Sequence, residues 1–308
     1  YNQKGVGMMQ EISQISFIDK YVPDTMAPLD CMDSILELEV GFGTLEEVLI
    51  QRWAPLMREN ETLKVSAKFW PSDALIEKLL ACEGPFAVTK EDGLLLANRG
   101  QETTPVLFPC DEASLLLHYP WDLLRLNELI LGSVKESNLE GTVRELAVLD
   151  GIVHLGEGSV ILPGVYVEGT AIIGKNCKIG PNCYLRGMNY ISSNCHIGQA
   201  VEVKNSILMK NVKAGHLSYI GDSIICPDVN IGAGTITSNL RHDGKKQRSV
   251  VNGMLVDTGR RKLGAIIGKD VHTGIHTSIY PGRKIWAGMD TRPGDIIQQD
   301  LRNAPEGD

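Results

Sequence analysis

The feature that most limits what this chain can fold into is a repeat with a period of six residues. A period of six matches neither an α-helix nor a simple alternating strand. Repeats of this kind predict a solenoid in which each unit supplies one short strand and one corner, and three units close a coil. The repeated position holds a large aliphatic residue ten times in succession: Leu155, Ile161, Val167, Ile173, Ile179, Leu185, Ile191, Ile197, Val203 and Met209.

Small residues often lie four places after each aliphatic one, which suits the crowded inner corner of a triangular coil. Cys177, Cys183 and Cys195 occupy this position, where cysteine acts as a compact apolar residue. The seven cysteines include no CxxC pair, so we expect free thiols and neither a disulfide framework nor a metal site. Such cysteine usage predicts a reducing, cytoplasmic location.

The repeat is interrupted in its later part. We expect its register to slip by one residue near Gly215, to reach Ile220, and by one more before Ile225. A polar segment rich in Arg and Lys, residues 240–263, then separates two parts of the solenoid. A long excursion from a regular solenoid commonly has a function. The repeat returns at Ile267, Thr273, Ile279 and Ile285.

Residues 1–140 lack the repeat and read as mixed α/β. We therefore predict an α/β N-terminal domain over 1–140, followed over 141–308 by an all-β left-handed parallel β-helix. The helices are predicted at 41–57, 72–81 and 118–135, the last with Pro120 in its first turn, and strands at 36–40 and 93–97. The glycines in VGFGTL, Gly41 and Gly43, lack a third Gly and a following Lys or Arg, which favours an ordinary turn over a phosphate-binding loop.

Composition excludes several classes of function. The formal net charge of −8 argues against a nucleic-acid partner, because binding to phosphates needs a positive surface. No apolar run approaches the roughly 20 residues of a membrane-spanning helix. The first ten residues contain no apolar segment of the kind found in secretory leaders. We expect neither a membrane association nor a secretory signal.

Three polar residues in the repeat are candidates for chemistry. Arg186 and Lys204 each follow an inward aliphatic residue and lie one full coil apart, so they are either two cations that hold one anion or two solvated surface charges. His216 is a candidate general base, although a histidine in a solenoid is often only a corner residue. The pair His272 and His276 has no carboxylate between them, which argues against a metal site.

Specific motifs surround His216. The segment KAGHLSYIGDSIICPDVNIGAGTITSNLRHDGK resembles the acetyltransferase domain of the GlmU-type bifunctional enzymes, which make UDP-N-acetylglucosamine. The resemblance implies that His216 deprotonates the sugar amine, and that Asn239 lies near the reacting amine and the pantetheine. It places Arg186 and Lys204 on the sugar phosphate. It also implies further site residues: Tyr219 and Asn230 for the sugar, and Ala233, Lys246 and Ala287 for acetyl-CoA.

The activity implied by the resemblance is transfer of an acetyl group from acetyl-CoA to the amine of glucosamine 1-phosphate or a related amino-sugar phosphate. Family members are homotrimers with sites between adjacent prisms, so a homotrimer is expected. The gluco and galacto epimers are left open. One departure from the family pattern is Ile275, which follows Gly274 where the family commonly has a small Ser.

Two other functions remain open at the level of sequence. The segments ILELEVGFGTLEEVLIQRW and HYPWDLLRLN look like shortened, divergent sugar-nucleotidyltransferase-like domains, but the family's Arg-containing nucleotide loop is absent. The first alternative is therefore a sugar-1-phosphate nucleotidyltransferase that uses the β-helix as a trimerisation module. Mg²⁺ is expected only under this alternative. The other alternative is a non-catalytic trimeric scaffold.

Overall fold

The computed structural model describes residues 14–100 and 104–302, which form two compact units. The first unit contains residues 14–20 and 49–116, and the second contains residues 21–48 and the described residues from 117 onward. The domain boundary at residue 140 stays a prediction.

The first unit is built around a mixed sheet of five strands, which confirms the α/β interpretation. The outer pairings of this sheet are parallel and the two inner ones are antiparallel. The strands, in spatial order, are Gln14–Ile18, Thr62–Ser66, Leu95–Arg99, Phe86–Thr89 and Val106–Pro109. A second, two-stranded antiparallel sheet pairs Phe69–Trp70 with Leu115–Leu116.

The three predicted helices are confirmed. Helix α1 spans Leu45–Trp53 and is followed by a 3₁₀ turn at Ala54–Leu56, and helix α2 spans Asp73–Leu80. Ser72 caps α2, because its side chain accepts a hydrogen bond from the Leu75 N–H at 3.0 Å. Helix α3 spans Pro120–Ser133, with Pro120 in its first turn as expected. Within the described ranges, no helix is long and apolar enough to cross a membrane.

The two predicted strands are only partly confirmed. The strand expected at 93–97 occurs as Leu95–Arg99. The strand expected at 36–40 is reduced to Glu39–Val40, which forms a hairpin with Gly43–Thr44. The preceding residues, Ile35–Glu37, form a 3₁₀ turn because the Ser34 side chain accepts a hydrogen bond from the Leu36 N–H at 3.2 Å.

The second unit begins with a short non-repetitive segment and is dominated by the solenoid. Two further 3₁₀ turns, Asp24–Met26 and Leu29–Cys31, precede the hairpin. Glu39 joins this segment to the solenoid: its carboxylate accepts hydrogen bonds from the Ser192 hydroxyl at 2.8 Å and from the Lys210 N–H at 2.7 Å.

The solenoid is a left-handed parallel β-helix with three faces, as predicted from the period of six. The first two faces form one sheet, because three long strands bend from the second face onto the first: Val148–Leu155, Tyr166–Ile173 and Tyr184–Ile191. The remaining strands of the first face are Asn138–Leu139, Ile207–Leu208, Ile224–Ile225, Ile266–Ile267 and Lys284–Ile285.

The other two faces follow the same parallel register. The remaining strands of the second face are Glu202–Lys204, Tyr219–Gly221, Ile236–Thr237, Ser278–Ile279 and Ile296–Ile297. The strands of the third face are Thr142–Val143, Val160–Ile161, Lys178–Ile179, His196–Gln199, Lys213–His216 and Asn230–Ile231.

The position of the first register slip was predicted wrongly. Ile191 pairs with Leu208, which lies in the core, so the inward row passes from Val203 to Leu208 and not to Met209. The shortened step of five residues therefore lies between Val203 and Leu208, before Gly215. The second slip is confirmed, because Leu208 pairs with Ile225. Both slips occur at the corner between the second and first faces.

The corner between the first and third faces is occupied by residues with positive φ. A short polar side chain or no side chain lowers the steric cost of this conformation, which explains why Asn, Asp and Gly recur there. The residues are Gly158, Asn176, Asn194, Asn211, Asp228, Asp270 and Gly288.

The interior of the solenoid is a continuous column of aliphatic side chains, and the three small cysteines are buried within it as predicted.

We expect Ile197→Ala to lower the free energy of unfolding by about 2–5 kcal/mol, because Ile197 is fully buried and the surrounding coils collapse only partly around a cavity. Urea unfolding followed by circular dichroism measures this. Val148→Ala, at a side chain that is 49% exposed, is the control and should change stability by less than about 0.5 kcal/mol. Equal effects at the two positions would contradict the account of the core.

The insertion predicted at 240–263 is confirmed. Ile225 and Ile267 pair on adjacent coils although the whole insertion lies between them. The inserted residues are not a plain loop: Arg248–Val251 and Met254–Asp257 form an antiparallel hairpin. Its turn is Asn252–Gly253, both with positive φ, as a type I′ hairpin turn requires.

Candidate active site

The two candidate cations lie side by side on the second face of the solenoid. Strand pairing places Arg186 directly beside Lys204 on the next coil, as their spacing in the repeat predicts. Lys204 in turn pairs with Gly221. A regular stack of coils therefore brings residues of successive coils into one cluster.

Arg186 is held by a carboxylate from its neighbouring coil. Its Nε donates to Glu202 at 2.6 Å, and this hydrogen bond raises the pKa of the guanidinium above its ordinary value. The guanidinium also lies 5.6 Å from the ring centre of Tyr184. Within the described residues the two terminal nitrogens of Arg186 make no hydrogen bond, so they are free to bind an oxyanion in a bidentate manner.

Lys204 is buried and paired. It is 9% exposed, and its Nζ donates to both carboxylate oxygens of Asp222, at 2.7 and 3.0 Å. Asp222 is only 1% exposed. It also accepts a hydrogen bond from the Asn239 side-chain amide at 2.6 Å. The predicted phosphate-binding lysine and the predicted catalytic asparagine therefore share one buried acceptor.

Tyr219 completes this cluster. The Asn239 amide donates to the Tyr219 hydroxyl at 2.8 Å. Burial, followed by the charge of Asp222, raises the pKa of Tyr219, so the phenol stays protonated and keeps its O–H proton as a donor. Gly221 makes room for this arrangement: a Cβ there would lie 2.4 Å from the Tyr219 hydroxyl oxygen and 2.8 Å from the Asn239 amide nitrogen. We call Arg186, Glu202, Lys204, Tyr219, Asp222 and Asn239 the polar cluster.

His216 lies at the corner that leads to the polar cluster. It ends the strand Lys213–His216 on the third face, and Leu217, with φ +52°, turns the chain towards Tyr219. The His216 side chain is exposed and makes no hydrogen bond within the part of the chain that the structure describes. The imidazole is therefore available to accept a proton from a bound molecule.

Ala233 occupies the same corner one coil further on. The Gly234 N–H donates to the His216 carbonyl at 3.3 Å, and the His276 N–H donates to the Ala233 carbonyl at 2.8 Å. Gly234 has φ +74°, the equivalent of Leu217. The predicted base and the predicted CoA-lining backbone are thus adjacent.

Three other predicted site residues are not members of the polar cluster. Asn230 is on the third face, where it pairs with Lys213 and His272. Lys246 is an exposed residue of the insertion, and Ala287 is exposed near the corner between the first and third faces.

Comparison with known proteins finds a family model and several relatives that match this chain. Residues 161–283 match the family model of the GMPPB C-terminal domain. The chain is 43% identical over 182 residues to a bifunctional sugar-1-phosphate nucleotidylyltransferase/acetyltransferase of Sulfurisphaera tokodaii, an alignment that covers 59% of this chain and 45% of that protein. It is 34% identical over 273 residues to the bifunctional protein GlmU of Methanococcus vannielii, with 85% of this chain and 65% of that protein covered. The chain is similar to the GlmU-type family.

The chain spans less than half the length of most of the GlmU-type relatives that it matches. Among solved structures, the polysialic acid O-acetyltransferase OatWY has a TM-score of 0.22 at 16% identity, over 55% of this chain and 80% of that one. A score this low bears on neither fold nor function.

Two members of the polar cluster were missed from the sequence, Glu202 and Asp222. Both are carboxylates that pair with predicted cations. The repeat contains a signal for one of them, because Glu202 begins the short strand that ends at Lys204 and therefore lies beside Tyr184 and Arg186 on the preceding coil. For Asp222 the signal is weaker, since the register slips within its coil.

Proposed function

We propose that this chain is an N-acetyltransferase that moves an acetyl group from acetyl-CoA to the amine of glucosamine 1-phosphate or a related amino-sugar phosphate. The observation that carries the proposal is the polar cluster of the second face, which follows directly on the corner that holds His216. Similarity to the GlmU-type family supports it, because the relatives include a protein named as an acetyltransferase.

The chemistry is direct transfer. The neutral amine of the sugar attacks the thioester carbonyl carbon of acetyl-CoA, and His216 takes a proton from the amine. The oxyanion is stabilised by backbone N–H groups. When the intermediate collapses, the C–S bond breaks, and the departing CoA thiolate takes the proton from His216. The products are the N-acetylated sugar phosphate and free CoA.

The polar cluster binds the acceptor in this proposal. Arg186 and Lys204 each have a carboxylate partner, so the cluster carries little net charge before a ligand binds. The terminal nitrogens of Arg186 supply the hydrogen bonds that a phosphate requires, and the Tyr219 O–H supplies a donor to the sugar. Fixing the phosphate holds the amine at one place, which favours attack on the thioester.

We expect Arg186→Ala to raise the KM for glucosamine 1-phosphate by about 10- to 100-fold, with a smaller change in kcat. The reason is that charge-assisted hydrogen bonds to a phosphate are worth about 1.5–3 kcal/mol. Initial rates of CoA release at varied sugar phosphate measure this effect. The control is Arg125→Ala, at an exposed position of α3. An unchanged KM in Arg186→Ala would remove this residue from the proposed phosphate site.

We also propose that the active unit is a homotrimer with acetyl-CoA bound between chains. The support is that Asn230 on the third face and Ala287 near the corner between the first and third faces are not part of the polar cluster of one chain, whereas the resemblance to the GlmU-type family implies active sites between adjacent prisms. Sedimentation velocity tests the assembly: a single species of three chains is expected, and a monomer with full activity would contradict it.

The proposed function is tested by incubating the chain with acetyl-CoA and either glucosamine 1-phosphate or galactosamine 1-phosphate, and measuring free CoA with a thiol-reactive dye. Turnover that depends on one of the two sugar phosphates is expected. Absence of turnover with both, at enzyme concentrations of micromolar order, would overturn the proposal.

A further inference from the structure

One buried carboxylate holds together two groups that the proposed reaction needs. Asp222 accepts hydrogen bonds from the Lys204 ammonium and the Asn239 amide, as described above, and from the Asn205 amide at the longer distance of 3.4 Å. We infer that Asp222 is a positioning residue for acetyl transfer, which fixes the phosphate-binding lysine and the catalytic asparagine at once. This inference rests on the proposed function.

The first argument concerns the freedom of Lys204. A lysine side chain has four rotatable bonds and loses rotamer entropy when it is fixed. Asp222 fixes it before any ligand binds, because both carboxylate oxygens face the ammonium. The ammonium then makes its contact with a phosphate without this loss, which strengthens binding of the acceptor.

The second argument concerns the insertion. Asn239 is the last residue before the insertion, and Gly264 is the first after it. The Asp222 carbonyl accepts a hydrogen bond from the Gly264 N–H at 2.8 Å, and the Asp222 N–H donates to the Lys204 carbonyl at 2.7 Å. Through its side chain and its backbone, Asp222 therefore connects both ends of the insertion to the coil that carries Lys204.

The third argument concerns what happens without the carboxylate. The Lys204 ammonium and the Asn239 amide are both donors, and both point at Asp222. When the negative charge of Asp222 is removed, the Lys204 ammonium is left buried without a counter-ion. The Asn239 amide then loses the carboxylate that accepts its hydrogen bond. Both groups are then expected to move away from their positions in the site.

The test is Asp222→Asn, which removes the charge and keeps the shape. Asp222 has φ +49°, a conformation that Asn also tolerates, so the backbone is not strained by the change. We expect the KM for glucosamine 1-phosphate to rise at least tenfold and kcat to fall, with a smaller change in the KM for acetyl-CoA. Asp222→Gly, which also tolerates this backbone conformation, is read by the same criteria if the asparagine variant does not fold.

Two comparisons separate positioning from a purely structural role. Asp270→Asn is the matched control, because Asp270 is an exposed corner residue with φ +56° and should leave the kinetic constants unchanged. In a Lys204→Met background, Asp222→Asn should raise the KM for the sugar phosphate by less than about threefold, since the group it positions is gone. An equal rise in both backgrounds, or a KM within twofold of wild type, would overturn the inference for Asp222 alone. A wild-type chain without turnover would overturn the proposed function itself.

Discussion

The His216→Ala variant is expected to lose about two to four orders of magnitude in kcat for acetyl transfer, because a positioned general base contributes about 10²- to 10⁴-fold to a rate. Without the imidazole, the proton on the attacking amine has no acceptor at the corner between the third and second faces. The effect should appear mainly in kcat, since neither the phosphate contacts nor the proposed CoA contacts are removed. Steady-state CoA release gives both constants.

The control for this prediction is His118→Ala. This variant removes an exposed imidazole that lies two residues before the start of helix α3. Its kinetic constants should match wild type. A His216→Ala variant with kcat within threefold of wild type would show that His216 is not the base, even if the acetyl transfer itself is confirmed.

The Lys204→Met variant is expected to lose about 3–5 kcal/mol in its free energy of unfolding, because it leaves the Asp222 carboxylate buried without its counter-ion. Lys204 is paired to Asp222 through two hydrogen bonds, and Asp222 is nearly inaccessible to water. Methionine matches the length of the lysine stem, so the loss of packing is small. Urea unfolding monitored by circular dichroism measures the difference.

A double variant tests the reason for that loss. Adding Asp222→Asn to Lys204→Met removes the uncompensated charge, so most of the lost stability should return. If the double variant is less stable than Lys204→Met, the loss would have to come from packing and not from an unpaired charge, and the buried ion pair would not explain the effect.

The repeat could be interpreted from the sequence because a solenoid converts sequence spacing directly into spatial contact. Once Ile173 and Ile191 are assigned to one inward row, their neighbours follow, and the stacking of Arg186 on Lys204 is a consequence. The same rule explains the buried cysteines. Helix α3 was also predictable, since Pro120 marks its first turn.

The first register slip was misplaced because aliphatic residues at neighbouring positions hide it. Leu208 and Met209 are both buried, and either one continues an aliphatic row in the sequence. Only the pairing of Ile191 with Leu208 shows which of them faces the interior.

The hairpin in the insertion has a signal in the sequence. The sequence VVNGML places Asn-Gly between apolar residues, which is a strong short-range indication of a two-residue hairpin turn. The ion pairs of the polar cluster are different, because they depend on side-chain rotamers that no spacing rule determines. The sequence does not determine which donor Glu202 binds, and the structure shows that its carboxylate accepts a hydrogen bond from Arg186.

The most direct test of acetyl transfer to an amine is to follow the acetyl group itself. The chain is incubated with acetyl-CoA labelled with ¹³C at the carbonyl and with glucosamine 1-phosphate or its galacto epimer, and the label is observed by NMR. Our account predicts that the thioester signal is replaced by an amide signal at a rate that matches CoA release. Label that appears as acetate, as an ester or not at all would contradict N-acetylation of an amino-sugar phosphate.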